Sequence, residues 1–288
     1  MQESLSKSTK ITLTEAYEHC INIAMSHYEN FPVASRLMPR EIRPSIAAVY
    51  AFARFADDIV DEGNLSSDER HRRLDAWREQ LNTCTTDPRD PVFLALGDTI
   101  TAYDLPLQDF HDLLDAFQQD IHKERYETFE EVLAYCERSA NPVGRILLSL
   151  FRIRNSETVP PSDALCTALQ LTNFWQDVSV DREKPRYYLP AEDMARFSVE
   201  IEELHRQSAN TSVKNLIRFE VLRTREYFSD AESLFTHLPF RLRLEIKAVW
   251  HGGSRILDLI ERQDFDILAQ RPVLTKADWV SILLRSFF

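Results

Sequence analysis

The stretch YAFARFADDIVDEG, residues 50–63, places an arginine and three aspartates on an otherwise apolar helix. An α-helix turns about 100° per residue, so Arg54, Asp57 and Asp61 share one stripe about 60° wide. Tyr50 lies on the same stripe. The residues around it, SIAAVYAFARFA, are apolar or small on most of the helix surface, which is typical of a buried helix. Because unpaired buried charge is costly, we expect the polar stripe to face a polar cavity.

A second stretch, LQLTNFWQDVSVDREKPRYYLP, residues 169–190, has the same organisation. Apolar side chains occupy most of this helix, and it leads into a basic loop that contains Arg186. Its polar side chains share a stripe about 80° wide: Gln170, Asn173, Asp177 and Asp181. The chain therefore carries two helices that each present a line of carboxylates.

Paired carboxylate helices indicate a hard metal ion. For either helix alone, an ordinary solvated face is an equal alternative, with an aspartate as the partner of Arg54. The presence of the same carboxylate stripe on two separate helices favours a metal-binding site over a solvated face. Oxygen ligands suit Mg²⁺, which retains water and shares its site with substrate phosphates. We therefore predict chemistry in which a metal-bound diphosphate leaves and a carbocation remains.

Composition and periodicity predict an all-α fold. Only 5 of the 288 residues are glycine, whereas doubly wound and all-β folds need glycine at many tight turns. Apolar residues recur with a period near 3.6 along nearly the whole chain. No Gly/Ser-rich linker divides it. We therefore predict a flexible N-terminus, residues 1–12, followed by a single all-helical domain over 13–288, a bundle with a central aspartate-lined cavity.

The predicted helices cover most of the chain, and the longest non-helical stretch is predicted over 182–198. Many of the prolines lie at or before a predicted helix start, where proline is tolerated. The predicted helices are 13–28, 42–62, 67–82, 91–103, 106–120, 128–138, 142–154, 161–181, 199–206, 212–235, 239–263 and 275–287.

Charge and motifs exclude several classes of function. A net charge of −12 argues against nucleic-acid binding. The 4 cysteines lie far apart without zinc spacing, which is typical of reduced thiols. No GxGxxG motif is present, so no nicotinamide site and no NADPH are expected. The first ten residues lack the apolar segment of a signal peptide, and no run approaches the roughly 20 apolar residues of a membrane span. A cytoplasmic protein is predicted.

The C-terminal sequence WVSILLRSFF is amphipathic. Such a segment is more often a helix that packs on the core. Transient contact with a membrane surface, on its inner face, or with a subunit is the alternative.

Five segments together resemble the squalene/phytoene synthase family, whose members act on isoprenoid diphosphates. YAFARFADDIVDE resembles the first aspartate motif of that family, and QLTNFWQDVSVD resembles the second. YCERSANPVGR resembles the segment between them through Tyr135, Ala140 and Gly144. PRYYLP and QRPVLTKADW resemble the loop after the second motif and the C-terminal segment. The matches run in order from about residue 20 to residue 276. The resemblance implies the class I isoprenoid synthase helical bundle.

ENFPVASRLMP, ANPVGR and LTNFWQDVSVD look most like the hopanoid-pathway branch of the family, the hydroxysqualene synthases. The resemblance implies that presqualene diphosphate and water give hydroxysqualene and diphosphate. It also implies functional coupling to a sister enzyme that makes the presqualene diphosphate, and a later flavoprotein that reduces the alcohol to squalene.

The resemblance also implies roles for single residues. Asp57, Asp61, Asp177 and Asp181 are the predicted ligands of two or three Mg²⁺ ions that bridge to the substrate diphosphate. Asn173 is predicted to ligate a metal or to orient an oxygen bound to it. Asp58 lies at the edge of its stripe, so a supporting or solvated position is an equal alternative to ligation.

Arginines and aromatic residues complete the predicted site. Arg54, Arg186 and Arg271 suit bidentate phosphate contacts, with a structural ion pair as the rival interpretation for Arg54. Tyr50 and Tyr135 are predicted to line the pocket near the carbocation, although a plain core position is nearly as favoured. Gln170 is predicted to bind the diphosphate, or else a neighbouring helix. Tyr187 is predicted to contact substrate.

Two departures from the family pattern give further expectations. Many relatives carry a Ser-Lys-Ser cluster in the first helix, where this chain has Glu29, Asn30 and Phe31. We expect weaker binding of a second farnesyl diphosphate and loss of the condensing half-reaction. Gly253 stands where many relatives have tyrosine, and we expect it to leave room for water near the cation.

Three alternatives remain from the sequence. The first is a complete squalene- or phytoene-type condensation of two prenyl diphosphates such as farnesyl diphosphate. The second is a class I terpene cyclase, because DDIVD also reads as DDxxD, although the second motif lacks the serine or threonine of cyclases. The third is a helical interaction protein without catalysis. This one ranks last, because such relatives are expected to lose the aspartates.

Overall fold

A computed structural model describes residues 11–26, 38–61, 63, 65–181 and 186–287, with the backbone alone for residue 181. Within these ranges the chain is helical and contains no strand, which confirms the all-α prediction. A 3-10 helix, Ala231–Thr236, follows α11. The α-helices are α1 Leu13–Ser26, α2 Arg43–Asp61, α3 Ser67–Thr83, α4 Pro91–Tyr103, α5 Leu107–Asp120, α6 Phe129–Ser139, α7 Asn141–Leu150, α8 Val159–Asp181, α9 Ala191–Arg196, α10 Ile201–Leu204, α11 Thr211–Asp230, α12 Phe240–Arg262 and α13 Lys276–Ser286.

Most helix boundaries agree with the predicted ones to within two residues. One prediction was wrong: α9 lies inside the stretch predicted to be non-helical over 182–198. It begins directly after Pro190 and has only 6 residues, too few for a periodic pattern to show. α7 is also shorter than predicted: it ends at Leu150, whereas the predicted helix runs to residue 154. The backbone leaves the helical conformation at Arg152, where φ is +57°.

The described residues up to Leu107 form one compact unit, and those from Gln108 form a second. In the first unit, α2 packs against α1, α3 and α4. Its core is aromatic: the Trp77 ring lies 4.3 Å from that of Phe93 and stacks on that of Phe52 at 6.1 Å. Trp77 Nε1 also donates to the Phe52 carbonyl at 3.3 Å. These contacts fix the buried side of α2, so its polar stripe is held on the other side.

In the second unit, α8 packs against α6, α7, α11 and α12. Trp175 on α8 is fully buried and donates from Nε1 to the Thr224 hydroxyl of α11 at 2.8 Å. A buried indole with its N–H satisfied fixes the rotation of α8 about its own axis. Each unit is defined by the contacts within it. The prediction of a single domain over 13–288 therefore stays a prediction.

The segment before α9 is held by an earlier part of the chain. Tyr187 N donates to the Glu124 carbonyl at 2.8 Å, and Ala191 N donates to the Tyr126 carbonyl at 2.9 Å. Phe129 N donates to the Glu192 carboxylate at 2.7 Å. These bonds join residues 124–129 to residues 187–192. They hold residues 187–190, which are not helical, in place before α9 begins at Ala191.

The C-terminal helix α13 packs on α12 through a narrow face of Asp278, Ile282 and Ser286. Its other side exposes a stripe of large apolar residues, each more than half exposed: Trp279, Val280, Leu283, Leu284 and Phe287. No described helix has both the length and the apolar character needed to cross a membrane. The prediction of membrane-surface or subunit contact at this helix stays a prediction.

Candidate active site

The first aspartate motif lies on the polar side of α2 and is organised around Arg54. One guanidinium nitrogen of Arg54 lies 2.6 Å from Asp58 Oδ1, and the other lies 3.4 Å from Asp57 Oδ2. The ion-pair interpretation of Arg54 therefore describes its contacts in this structure. Asp58, placed at the edge of the stripe by the sequence, makes the shorter contact. Its side chain is 32% exposed against 42% for Asp57, so Asp57 presents more of its carboxylate outward.

Asp61 and Tyr50 lie on either side of this ion pair along α2. Asp61 is exposed and Tyr50 is half-buried. Burial raises the pKa of Tyr50, while Arg54 opposes this shift and Asp57 and Asp58 add to it. Tyr50 thus lies within the electrostatic field of the motif, as its place on the stripe predicts.

The second motif lies on α8, in the other compact unit. Gln170 is half-buried, Asn173 is exposed and the Asp177 side chain is 17% exposed. The next two residues of the helix after Asn173, Phe174 and Trp175, are buried. The alternation of polar and buried positions is therefore the predicted one. The side chain of Asp181 lies outside the described residues.

Asp177 is held by the C-terminal segment. Arg271 donates from Nε to Asp177 Oδ1 in a short charge-assisted hydrogen bond. The preceding residue on α8, Gln176, donates to the Pro272 carbonyl at 2.6 Å. These two contacts attach the segment between α12 and α13 to the end of α8. The structure therefore brings together two residues, Asp177 and Arg271, that lie 94 positions apart in the sequence.

Arg186 and Tyr135 meet at a residue that sequence reasoning missed, Asp120. The Tyr135 hydroxyl donates to Asp120 Oδ2 at 2.8 Å. Arg186 lies 3.4 Å from Asp120 Oδ1 and also donates to the Asp120 carbonyl at 3.2 Å. Asp120 is the last of four aspartates on the amphipathic helix α5, so nothing in the sequence distinguishes it from the other three.

An aromatic cluster surrounds this polar junction. The Phe174 and Tyr188 rings stack at 3.7 Å, and the Tyr135 ring lies within 6.0 Å of both. Burial raises the pKa of Tyr135 far above its ordinary value and raises that of Tyr188 to about 12. Tyr135 is 5% exposed, so its hydroxyl remains a neutral donor to Asp120.

Tyr187 and Tyr188 point in different directions, as neighbours in an extended segment do. The Tyr188 hydroxyl accepts from Arg186 at 3.3 Å, whereas the Tyr187 hydroxyl is hydrogen-bonded to His205 Nε2 at 2.9 Å. The sequence selected Tyr187 as the substrate contact. In the structure its hydroxyl bonds to His205, which follows α10, and Tyr188 bonds to Arg186. The substrate contact of Tyr187 stays a prediction.

The prediction that Gly253 leaves room is wrong. A Cβ at Gly253 would lie 2.7 Å from Leu169 Cδ2 and 2.7 Å from Phe228 Cζ, so the glycine allows α12 to approach α8 and α11 closely. Open space for a side-chain carbon lies instead at the preceding residue, Gly252. Gly252 is buried, yet nothing lies within 4 Å of a Cβ built there.

The candidate ligands on each helix have the chemistry that suits magnesium. All candidate ligands are oxygen donors, and Asp57 and Asp61 are accessible on one stripe. No group of three or more potential ligands is close enough to hold a metal among the residues that the structure describes. Mg²⁺ bound through one or two carboxylates, with water and substrate phosphates as the other ligands, agrees with such a set.

Several predicted residues lie outside the described ranges. Glu29, Asn30 and Phe31 belong to residues 27–37, and the basic residues Arg182 and Lys184 belong to residues 182–185.

The model of the family described as squalene/phytoene synthase matches residues 24–278. Two curated relatives are 32% identical to this chain. One is 15-cis-phytoene synthase of Synechococcus elongatus, over 90% of this chain and 88% of that protein. The other is phytoene synthase of Arthrospira platensis, over 93% and 92%.

Two solved structures share the fold. Squalene synthase HpnC from Alicyclobacillus acidocaldarius is 37% identical, with a TM-score of 0.83 over 88% of this chain and 95% of that one. A dehydrosqualene synthase in complex with a ligand is 25% identical, with a TM-score of 0.85 over 96% of each chain.

Proposed function

Because the chain belongs to the squalene/phytoene synthase family, we propose that it is a Mg²⁺-dependent enzyme that converts presqualene diphosphate and water to hydroxysqualene and diphosphate. The observation that carries this choice is the 37% identity to a squalene synthase of the HpnC type, compared with 32% to the phytoene synthases. Glu29, Asn30 and Phe31, which replace the Ser-Lys-Ser cluster of many relatives, support loss of the condensing half-reaction.

In the proposed reaction, the carbon–oxygen bond to the diphosphate breaks with both electrons leaving on the diphosphate. The cyclopropylcarbinyl cation rearranges, a water oxygen attacks it, and the water loses a proton. Bound Mg²⁺ would stabilise the negative charge that develops on the departing diphosphate.

The residues of the chain have three tasks in this proposal. Asp57, Asp61, Asp177 and Asp181 would hold the metal, and Asn173 would support it. Arg54 and Arg271 would neutralise phosphate oxygens as their aspartate contacts loosen, because guanidinium groups bind carboxylate and phosphate in the same geometry. Arg186 would bind phosphate while Asp120 keeps it oriented. The rings of Tyr135, Phe174 and Tyr188 provide an apolar, electron-rich surface for a cation.

The second candidate is the head-to-head condensation of two prenyl diphosphates. Two relatives named phytoene synthase each match about nine-tenths of the chain, which favours it. It requires a site for a second diphosphate, and Glu29, Asn30 and Phe31 carry no positive charge to bind one.

Product identification separates these proposals. The purified protein is incubated with Mg²⁺ and, separately, presqualene diphosphate, farnesyl diphosphate or geranylgeranyl diphosphate. Hydroxysqualene from presqualene diphosphate, with no condensed product from the other two, is the expected result. A C30 or C40 hydrocarbon from the shorter substrates supports condensation, and cyclic products from farnesyl diphosphate contradict both.

A further inference from the structure

We propose that Asp120 is a positioning residue for Arg186, and that it sets the affinity of the enzyme for the diphosphate of its substrate. The inference rests on the proposed function, in which Arg186 meets that diphosphate. It adds a residue outside both aspartate motifs, on the last turn of α5.

Burial makes an anionic partner necessary for Arg186. The Arg186 side chain is 19% exposed and lies among Tyr126, Tyr188 and the end of α5. A guanidinium group cannot shed its proton in a protein, so a largely buried one needs a nearby negative charge. Asp120, 8% exposed, supplies that charge through its carboxylate, and it supplies a second contact through its backbone carbonyl.

The carboxylate of Asp120 is itself held in place. Its Oδ2 accepts the Tyr135 hydroxyl, and its Oδ1 faces Arg186. Each of these two contacts uses a different oxygen, so tilting the carboxylate out of its plane would weaken both. The Arg186 nitrogen that faces Asp120, Nη1, also donates a hydrogen bond to the Tyr188 hydroxyl, and this second contact restricts the plane of the guanidinium group. Arg186 thus has a defined orientation before any ligand arrives.

Preorganisation of this kind affects ligand affinity. A cation that is already oriented loses little side-chain freedom when it binds an anion. Without Asp120, the guanidinium group would be buried without compensation and would move toward water. Removing a partner that orients a metal ligand typically costs about 10- to 100-fold in affinity or activity, and we expect a loss at the lower end of that range for a partner that orients Arg186.

The test compares two buried Asp–Arg pairs of one compact unit. Asp120→Asn removes the carboxylate charge beside Arg186. Asp193→Asn is the matched control, because Asp193 is 6% exposed and pairs at 3.0 Å with Arg223, which is 18% exposed. Binding of inorganic pyrophosphate in the presence of Mg²⁺ is measured by calorimetry, and the unfolding midpoint is measured for each variant.

We expect both variants to lose stability, and only Asp120→Asn to bind pyrophosphate about tenfold more weakly. In an Arg186→Gln background, Asp120→Asn should cause no further loss of affinity, because it acts through Arg186. Equal pyrophosphate affinity in the wild type and Asp120→Asn overturns the inference. Additive losses in the double variant also overturn it.

A second variant covers the case in which Asp120→Asn does not fold. Tyr135→Phe removes the hydrogen bond that orients Asp120 and leaves the charge in place. About threefold weaker pyrophosphate binding is expected, on the scale of one hydrogen bond, and unchanged binding overturns the inference. If the wild type itself binds no pyrophosphate with Mg²⁺, the proposed function fails together with the inference. If the wild type binds pyrophosphate but the variants bind it equally well, only the inference about Asp120 fails.

Discussion

Arg271 neutralises Asp177, a predicted metal ligand, through a hydrogen bond from its Nε to the carboxylate Oδ1. A divalent cation that binds Asp177 must share or displace this guanidinium group. Arg271 is also a predicted partner of the substrate diphosphate. Arg271 is 41% exposed, so it has room to change partner.

The first prediction concerns this exchange. Arg271→Gln should increase the affinity for Mg²⁺ alone, because a competing positive charge is removed from Asp177. It should decrease the affinity for pyrophosphate with Mg²⁺ by about tenfold, because a phosphate contact is lost. Calorimetric titrations of both ligands measure these changes.

Arg89→Gln is the control for the Arg271 variant. It removes the same charge from a side chain that is 79% exposed and pairs only with Asp87 at 3.0 Å among its described contacts. Both affinities should match the wild type. A decrease in both affinities for Arg271→Gln would show that Arg271 supports the site without competing for Asp177.

The second prediction concerns the two aspartate motifs. In the wild type, Mg²⁺ with pyrophosphate at about 100 times its dissociation constant should stabilise the native state by about 2.7 kcal/mol through mass action. Asp57→Asn and Asp177→Asn should each remove most of that stabilisation, because an amide is a poorer ligand for a hard cation. Thermal unfolding with and without ligand measures it.

Asp87→Asn is the matched carboxylate control, because Asp87 is 68% exposed and belongs to neither motif. It should keep the full ligand-induced shift in Tm. If Asp57→Asn and Asp177→Asn keep it too, the assignment of these aspartates as metal ligands is wrong.

The third prediction concerns two adjacent glycines of α12. Alanine favours a helix interior over glycine by about 1 kcal/mol, so Gly252→Ala should raise the stability where its Cβ meets open space. At Gly253 the same methyl group overlaps Leu169 and Phe228, and overpacking typically costs about 1–3 kcal/mol. Urea unfolding should therefore find Gly253→Ala less stable than Gly252→Ala by a similar amount.

Each glycine variant serves as the control for the other, because they share one helix and one substitution. Equal stability of the two would show that Leu169 and Phe228 move aside at little cost.

The fourth prediction concerns a buried carboxyl group outside the candidate site. Glu220 on α11 is fully buried, and burial raises its pKa to about 8, with Arg223 opposing the shift and Asp193 and Glu192 adding to it. The folded state therefore holds a proton that the unfolded state releases near the ordinary glutamate pKa of 4.5. Since the folded state binds more protons between these values, stability should fall as pH rises from about 4.5 to about 8.

Glu220→Gln should flatten this part of the pH profile, because the neutral amide resembles the protonated acid. Denaturant unfolding at several pH values between about 6 and about 9 measures the slope. Glu261→Gln, at a side chain that is 60% exposed, should keep the wild-type slope. Equal slopes in the wild type and Glu220→Gln would mean that Glu220 is already ionised in the folded protein.

The fold could be predicted from the sequence because helices longer than ten residues carry several turns of apolar periodicity. α2 and α8 are examples, and their polar stripes lie where the period of 3.6 places them. α9 was missed because one and a half turns give no period to count. Its start after Pro190 was the available signal.

The candidate site was predictable only along single helices. Spacing on α2 placed Arg54 beside its own aspartates, since residues three and four apart meet on a helix. Spacing cannot pair Asp120 with Arg186, which lie 66 positions apart. It also cannot distinguish Tyr187 from Tyr188, because neighbouring residues of an extended segment differ only in the side they face. The motif resemblance named Arg271 but not its contact with Asp177.

The bonds between residues 124–129 and 187–192 have a consequence for the order of folding. They close a chain loop whose ends, Phe129 and Glu192, are 63 residues apart and which contains α6, α7 and α8. Loop closure is an entropic cost that precedes any contact it allows. The contact of Arg186 with Asp120 on α5 closes a loop of similar length, 66 residues. This part of the site therefore carries the same entropic cost, and a nascent chain that ends before Arg186 would not yet contain it.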